Sequence, residues 1–599
     1  MRHVLTLSIT IITSTFPWLP PKDPRVGVVY PPVKWLLFAW LVTALSACSQ
    51  DEVSLRFTDV AETSGLQFRH NFGAEKPRNL LMTTGSGCAL FDYDNDGWLD
   101  AFLVNATKLD ESGLPLAEAA THHALFHNKG DGTFENVTKA AQITRATYGQ
   151  GCAVADFDGD GFTDLYVTNF GPNQLYRNRG DGTFQDVTER SGTGDPRWST
   201  GAVFFDHDND GDLDLFVANY VKFPIEHHSW TEPKLRGPRF YDAEEDMLYR
   251  NNGDGTFTDV SSEVGLISGG KGLAVVAADF DNDGDQDLFI ANDRTPNFLY
   301  QNNDGQFTEI GLKAGIAVDQ KGVDTAGMGV DIADLNGDGK QDIYVTNFHY
   351  ELNNLYENLG DLLFADMAEA MCLDENNWIS TGWATRFVDF NNDGYLDCFV
   401  ANGGIWAYRK PLAYGVTYPQ KNLIFVGNQE GCFKDVAGEC GKDFQKKLVS
   451  RGAAFGDYDN DGDIDILVSN CGGPAQLLRN DIPVSDRWLR IRLKGQPPNI
   501  NGIGAKVITR LGNRTVSSET RFAGAYLGSS DPTLHIGLRP GESEGSVEVT
   551  WPSGKTTTRK VRAGTLTLIE EPRYIALSNL ENTSKKDEEA KAKVRDNLK

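Results

Sequence analysis

Short apolar runs alternate with acidic loops along most of this chain. The runs before the loops favour small residues: Gly87-Cys88-Ala89-Leu90-Phe91, Gly151-Cys152-Ala153-Val154-Ala155 and Gly201-Ala202-Val203-Phe204-Phe205. Those after the loops are β-branched and aromatic, as in Leu99 to Val104, Leu165 to Thr168, Leu215 to Ala218 and Leu288 to Ala291. Runs this short, with these residue types, predict strands. The small residues suit a crowded inner strand, the larger ones a second strand beside it. A second phrase then recurs. Its clearest copy is Leu175-Tyr176-Arg177-Asn178-Arg179-Gly180-Asp181-Gly182-Thr183-Phe184-Gln185-Asp186-Val187-Thr188, with near copies from Leu125, Leu248, Leu299 and Leu355 and a degenerate one from Leu423. Asp-Gly between two apolar strands is a hairpin signal, because both turn residues tolerate positive φ. Each repeat therefore reads as four antiparallel strands, and four-stranded units at a period of tens of residues predict propeller blades.

The blades can be counted. Seven acidic loops are present, but only six Phe-x-Asp-Val-like outer strands follow them, from Phe134, Phe184, Phe257, Phe307, Phe364 and Phe433. After the seventh loop the third strand, Leu477 to Asn480, has no successor. The missing copy is Phe57-Thr58-Asp59-Val60, near the other end of the chain. An N-terminal strand that completes the last blade leaves no open edge at the seam. The expected fold is all-β: a seven-bladed propeller over residues 53–485, closed by an N-terminal strand, followed by a small β-domain over 486–572 and a charged tail over 573–599.

The acidic loops carry the chemistry. Each reads Asp-x-[Asp/Asn]-x-Asp-Gly-x-x-Asp. The candidate ligands are Asp92, Asp94, Asp96 and Asp100; Asp156, Asp158, Asp160 and Asp164; Asp206, Asp208, Asp210 and Asp214; Asp279, Asp281, Asp283 and Asp287; Asp334, Asn336, Asp338 and Asp342; Asp389, Asn391, Asp393 and Asp397; and Asp457, Asp459, Asp461 and Asp465. Like charges held this close repel unless a hard cation sits among them. Oxygen-only donors on a flexible loop select Ca2+, up to seven ions, over Zn2+ or a redox metal. An EF-hand is excluded, since that loop closes with Glu at position twelve between helices. Asn336 and Asn391 lower the ligand charge of loops five and six.

The net charge of −28 over 599 residues fits this reading, because seven divalent ions would halve it. So acidic a chain gives no positive surface for nucleic acid. No His-Glu-x-x-His or phosphate-binding glycine loop occurs.

The blades resemble FG-GAP (VCBS) repeats, the calcium-loop blades also found in integrin α-subunit heads. Asn501-Gly502-Ile503-Gly504-Ala505, Leu534-His535-Ile536-Gly537-Leu538 and Trp551-Pro552-Ser553-Gly554 resemble the signature of the ASPIC/UnbV domain. The two resemblances together cover residues 53–570. They imply a bacterial relative of the cartilage acidic protein family, with Ca2+ in the blade loops.

Residues 1–48 read as a leader. The apolar run from Trp35 ends Leu45-Ser46-Ala47-Cys48, which resembles a lipobox and makes Cys48 the candidate lipidated residue. The expected location is an outer-membrane or cell-surface lipoprotein; ordinary signal cleavage and a short membrane helix are the alternatives. Among the other cysteines, Cys432 and Cys440 are the expected disulfide, and Cys88 and Cys152 either pair or remain buried thiols.

Strand order places the acidic loops and Asp-Gly hairpins on one face and the long insertions on the other. The insertions and blade crossings bring Arg197, Trp198, His227, His228, Trp230, Trp406, Tyr408 and Arg409 to a candidate ligand face, with Arg145, Tyr148, Trp378 and Tyr414 nearby. Aromatic residues with Arg on a rim suit a carbohydrate or protein partner, unless the loops simply pack on each other. The His122–His123 and His227–His228 pairs are candidate transition-metal donors, although adjacent side chains usually point apart. The function expected is a binding or adhesion module; the alternative is a propeller enzyme, such as a polysaccharide lyase, with its site on the insertion face.

Overall fold

The computed structural model describes residues 54–573 except 111–115, 117–120, 226–235, 374–376, 408–411 and 484. The leader, Cys48 and most of the charged tail lie outside the described residues. Seven sheets repeat one plan of four antiparallel strands. The second is typical: Tyr148–Ala155, Asp164–Phe170, Gln174–Asn178 and Phe184–Asp186, in that spatial order. The acidic loop joins the first two strands, and the Asp-Gly hairpin joins the last two.

The inner strands follow one another around a ring, and the last, Ser450–Gly456, returns to the side of the first, Cys88–Phe91. Their small residues are what permits this. A Cβ on Gly87 would lie 2.7 Å from the Cα of Gly151, and one on Gly329 would lie 2.0 Å from the Trp383 carbonyl oxygen. The seam closes as expected. Phe57–Asp59 is the outer strand of the last sheet, with Phe57 opposite Asn480, Thr58 opposite Arg479 and Asp59 opposite Leu478.

Rings and amides knit neighbouring sheets together. Phe57 packs edge-on against Phe390 at 5.9 Å, Phe134 lies 5.8 Å from Tyr458, Phe184 6.0 Å from Tyr93 and Phe257 5.7 Å from Phe157. In each case an outer-strand Phe meets the second residue of the preceding sheet's acidic loop. In six of the seven sheets an Asn near the end of the third strand donates to the carbonyl of the same residue, as Asn178 does to Tyr93 at 2.7 Å, Asn251 to Phe157 at 2.8 Å and Asn480 to Phe390 at 2.8 Å; the sixth sheet has Gly427 there.

The C-terminal domain has two sheets. One joins Trp488–Lys494 to Leu534–Gly537 and Thr565–Glu570; the other contains Lys506–Leu511, Arg514–Glu519, Glu544–Thr550 and Thr556–Arg562. Leu489, Ile491, Val507, Val549, Trp551 and Ile569 form its core. Trp551, from the Trp-Pro-Ser-Gly motif, is buried and donates its indole N–H to Thr557 Oγ1 at 2.9 Å.

The disulfide differs from expectation. Cys432 pairs with Cys372, their Cα atoms 5.3 Å apart, and Cys440 is a buried thiol that donates to the Val436 carbonyl at 3.2 Å. The Phe433 N–H bonds the Met371 carbonyl at 3.0 Å, and this brings cysteines from two adjacent sheets together. Cys88 and Cys152 are both buried free thiols.

Candidate metal centres

Each acidic loop is wound by its own carboxylates. In loop two, Asp156 accepts hydrogen bonds from the Asp160 N–H at 3.1 Å and the Gly161 N–H at 2.8 Å, and Asp160 accepts from the Phe162 N–H at 3.0 Å. Loop one repeats this with Asp92, Asp96, Gly97 and Trp98. The winding needs left-handed backbone twice. The position-six glycine has φ of 91° in Gly97 and 98° in Gly462, and position four is left-handed as well, at 61° in Asn95 and 67° in Gly159. Position four is Asn or Gly in all seven loops. That signal stood in the sequence and fits the two residue types that tolerate this conformation.

The ninth position anchors the loop to its sheet. Asp164 accepts from the Phe157 N–H at 3.0 Å and the Asn178 N–H at 2.7 Å, and Asp100 and Asp465 do the same in loops one and seven. The third-strand Asn is the other functional residue that sequence reading left out. Its backbone braces the ligand Asp, while its side chain reaches the neighbouring sheet.

The converging oxygens fit a hard cation. Asp92, Asp94 and Asp100 bring one ligand atom each within 4.8 Å of one another, as do Asp156, Asp158 and Asp164, and Asp206, Asp208 and Asp210. Asp94, Asp158, Asp206, Asp208 and Asp459 each have a buried Oδ1 with no hydrogen-bond partner. Burial pushes Asp92 up to about 6, Asp156 and Asp206 up to about 7, and Asp100 up to about 9. A buried oxygen without a donor is unfavourable, and a divalent ion would satisfy several at once.

The loops are not equivalent. Asn336 donates to Glu357 at 2.9 Å and Asn391 to Asp393 at 3.0 Å, so both position-three amides have local partners. Arg177 forms ion pairs with Asp158 and Asp160 in loop two. At the matching register of loop one stands His127, whose Nδ1 lies 3.3 Å from both Asp94 and Asp100. The His pairs fare differently. His123 is internal, with Nδ1 accepting from the Asn105 N–H at 3.0 Å and Nε2 3.1 Å from Thr147 Oγ1.

The C-terminal domain sits on this same face. Arg490 Nη1 is 2.5 Å from Asp457 Oδ2, Lys506 Nζ is 2.5 Å from Asp279 Oδ2, and Arg514 donates to the Gly394 carbonyl at 2.9 Å. His535 and Gly537, from the Leu-His-Ile-Gly-Leu motif, meet loop six. His535 Nε2 is 2.7 Å from Asn392 Oδ1, and a Cβ on Gly537 would lie 1.8 Å from Asp389 Oδ2. Residues 525–530 then run among the inner strands. Ala525 pairs with Val330, the Cys152 N–H bonds the Leu527 carbonyl, Gly528 lies beside Cys88, and Ser530 Oγ accepts from Phe455. Tyr526 is fully buried there and donates to the Thr84 carbonyl at 3.0 Å.

On the opposite face the expected residues divide. Trp198 is a correction: it is 2% exposed, packed by Phe170, Tyr220 and Phe223, so its ring belongs to the core. Tyr148 is buried too. Arg197 is half-buried and pairs with Asp195 at 3.2 Å; Trp406 is half-buried. His227, His228, Trp230, Tyr408 and Arg409 lie outside the described residues. What the face does present is an aromatic trio. Tyr414 is 73% exposed and its ring lies 4.9 Å from Trp378 and 6.1 Å from Tyr350. Among the described residues no helix is long and apolar enough to cross a membrane.

A family model for the FG-GAP-like repeat matches residues 92–167, 156–217, 240–290, 279–345 and 334–400, and one for ASPIC and UnbV matches 495–575. Cartilage acidic protein 1 of Xenopus tropicalis is 30% identical over 330 residues, 53% of this chain and 47% of that protein. The Homo sapiens protein of the same name is 28% identical over 330 residues, 53% of this chain and 46% of its own. The chain thus spans about half the length of the curated relatives it matches. Among solved structures, an Agrocybe aegerita lectin described for specific recognition of non-reducing terminal N-acetylglucosamine is 17% identical, over 65% of this chain and 87% of that one, with a TM-score of 0.37. Repeats, C-terminal domain and relatives agree: the chain belongs to the FG-GAP-like repeat proteins that also carry an ASPIC and UnbV domain.

Proposed function

We propose that this protein is a calcium-stabilised binding module that works outside the cytoplasm, attached to a membrane through a lipid on Cys48. The observation that carries the reading is the set of buried carboxylate oxygens without partners in the acidic loops. The four acidic side chains of loops one to four and seven, with the Asn-containing sets of loops five and six, would hold Ca2+. The ion would supply charge neutralisation and a rigid loop; the chain supplies oxygens already braced by backbone N–H groups. Extracellular sites of this kind work at about 10⁻⁴–10⁻³ M Ca2+, levels that the cytosol does not reach.

Ligand capture belongs to the insertion face. The trio Tyr350, Trp378 and Tyr414 supports this, since clustered rings at least partly exposed on one surface suit sugar faces or an apolar protein patch. The test is a binding screen of the full chain against a glycan array and surface extracts, with and without Ca2+. Binding that needs Ca2+ and falls with Trp378→Ala supports the reading; no binding in either condition removes it. The anchor is tested separately, by the shift of Cys48→Ser from membrane to soluble fractions.

A further inference from the structure

A cavity of about 420 Å3 lies between the C-terminal domain and the loops of the fifth, sixth and seventh sheets. Five arginines line it: Arg386 from the sixth sheet, and Arg490, Arg514, Arg521 and Arg539 from the C-terminal domain. Such a concentration is unexpected in a chain with net charge −28.

Their hydrogen bonds are unevenly filled. Arg514 is fully engaged, bonding Glu542 at 2.7 Å, the Gly537 carbonyl at 2.7 Å and the Gly394 carbonyl at 2.9 Å. Arg386 and Arg521 share one fully buried carboxylate, Asp331, at 3.4 and 3.0 Å. One negative charge between two guanidinium groups leaves a local excess of positive charge. Arg539 packs its guanidinium over the Tyr395 ring at 4.1 Å, a contact that neutralises nothing. The Nε atoms of Arg490, Arg521 and Arg539 are buried with no acceptor, although the Nη atoms of Arg490 pair with Asp457 and Asp531. Buried N–H donors without acceptors are rare in folded proteins and point to a missing partner.

Most carboxylates that share the cavity wall face elsewhere, whereas Asp531 lies 3.6 Å from the Arg490 guanidinium. Glu519 accepts from Gln286 and from the Asp279 N–H, Asp531 accepts from Thr533, and Asp334 and Asp389 close their own loops. The rest of the wall includes apolar side chains, among them Leu396, Val516 and Leu534, each only partly buried.

We infer that this interdomain crevice binds a small organic anion, its oxyanion head held by Arg521 and Arg539 and its carbon body against Leu396, Val516 and Leu534. The guanidinium fork matches a carboxylate or a phosphate head equally. A site between domains, of this volume and mixed lining, is of small-molecule size and roomier than an inorganic ion requires.

The test is isothermal titration of the full chain in excess Ca2+ at fixed ionic strength, with benzoate, phenyl phosphate and benzyl alcohol as probes. One site per chain for benzoate or phenyl phosphate, and none for benzyl alcohol, is the expected result; which anion binds identifies the head group. Arg539→Gln should weaken binding about tenfold or more with the melting temperature unchanged. Arg521→Gln should do the same; if it fails to fold because Asp331 loses a partner, Arg539→Gln decides alone. Val516→Trp, which fills the apolar side, should abolish binding. Failure of both anions to bind, equal binding of benzyl alcohol, or wild-type affinity in Arg539→Gln overturns the inference.

Discussion

Phe57 lies opposite Asn480 in the same register that Phe184 holds opposite Asn178 within the second sheet. The first pair joins the two ends of the ring; the second is a local hairpin. Phe57 is 1% exposed and also touches Phe444, 5.5 Å away. Phe57→Ala should therefore cost about 3–5 kcal/mol, as buried Phe truncations do. Denaturant titration checks this. A loss below about 1 kcal/mol would mean that the strand does not seal the ring.

Removal of Ca2+ should lower the melting temperature, because a ligand bound only by the folded state stabilises it by mass action. The pH dependence gives a second signature. Burial raises Asp92 to about 6, Asp156 to about 7, Asp287 to about 8 and Asp100 to about 9, against about 3.9 in an unfolded chain. Raised acids hold more protons in the folded state. Metal-free protein is therefore most stable below about pH 4 with respect to these groups, and loses that contribution as pH rises towards 9. Ca2+ replaces those protons, so excess Ca2+ should flatten or reverse the slope. Scanning calorimetry from pH 5 to 9, with EDTA and with Ca2+, reads both effects. Identical slopes in the two series would rule out the acidic loops as the metal sites.

The propeller was legible because every part of a blade is spelled locally. Asp156 to Asp164 writes its loop, Gly180-Asp181-Gly182 its hairpin, and Phe184 its outer strand. The ring needed only the count. Long-range contacts had no such spelling. Arg490 and Lys506 stand in ordinary β-strands, and nothing local says that they descend on Asp457 and Asp279. Trp198 read as a rim residue because it follows Arg197 at a crossing, yet the described part of the insertion after Tyr220 folds back and Phe223 covers it. The pairing of Cys372 with Cys432 depends on which sheets are neighbours, not on spacing.

That disulfide ties the crossing after the fifth sheet to the outer hairpin of the sixth. Cys432→Ser should cost about 2–4 kcal/mol under oxidising conditions, with no further loss on adding reductant. Cys440→Ser removes only a buried thiol donor and should leave one disulfide intact by mass spectrometry of the unreduced protein. If Cys440→Ser removes the disulfide and Cys432→Ser does not, the pairing is wrong.

The docking of the C-terminal domain can be tested at one glycine. Gly537 sits against loop six so tightly that a Cβ would lie 1.8 Å from Asp389 Oδ2 and 3.0 Å from the Asn392 Cα. Its φ is not in the left-handed region, so alanine is excluded by contact and not by backbone conformation. Relief requires either Asp389 or the domain to move. Gly537→Ala should cost about 1–3 kcal/mol, the range for overpacking. It should also displace Asp389, the first carboxylate of loop six, and lower the Ca2+ stoichiometry measured by titration. Gly438 provides the control. A Cβ there meets nothing within 4 Å, and its φ is also ordinary, so Gly438→Ala should stay within about 0.5 kcal/mol of wild type. If the two alanines behave alike, the C-terminal domain does not press on the acidic loops in solution, and its motif glycine serves another end.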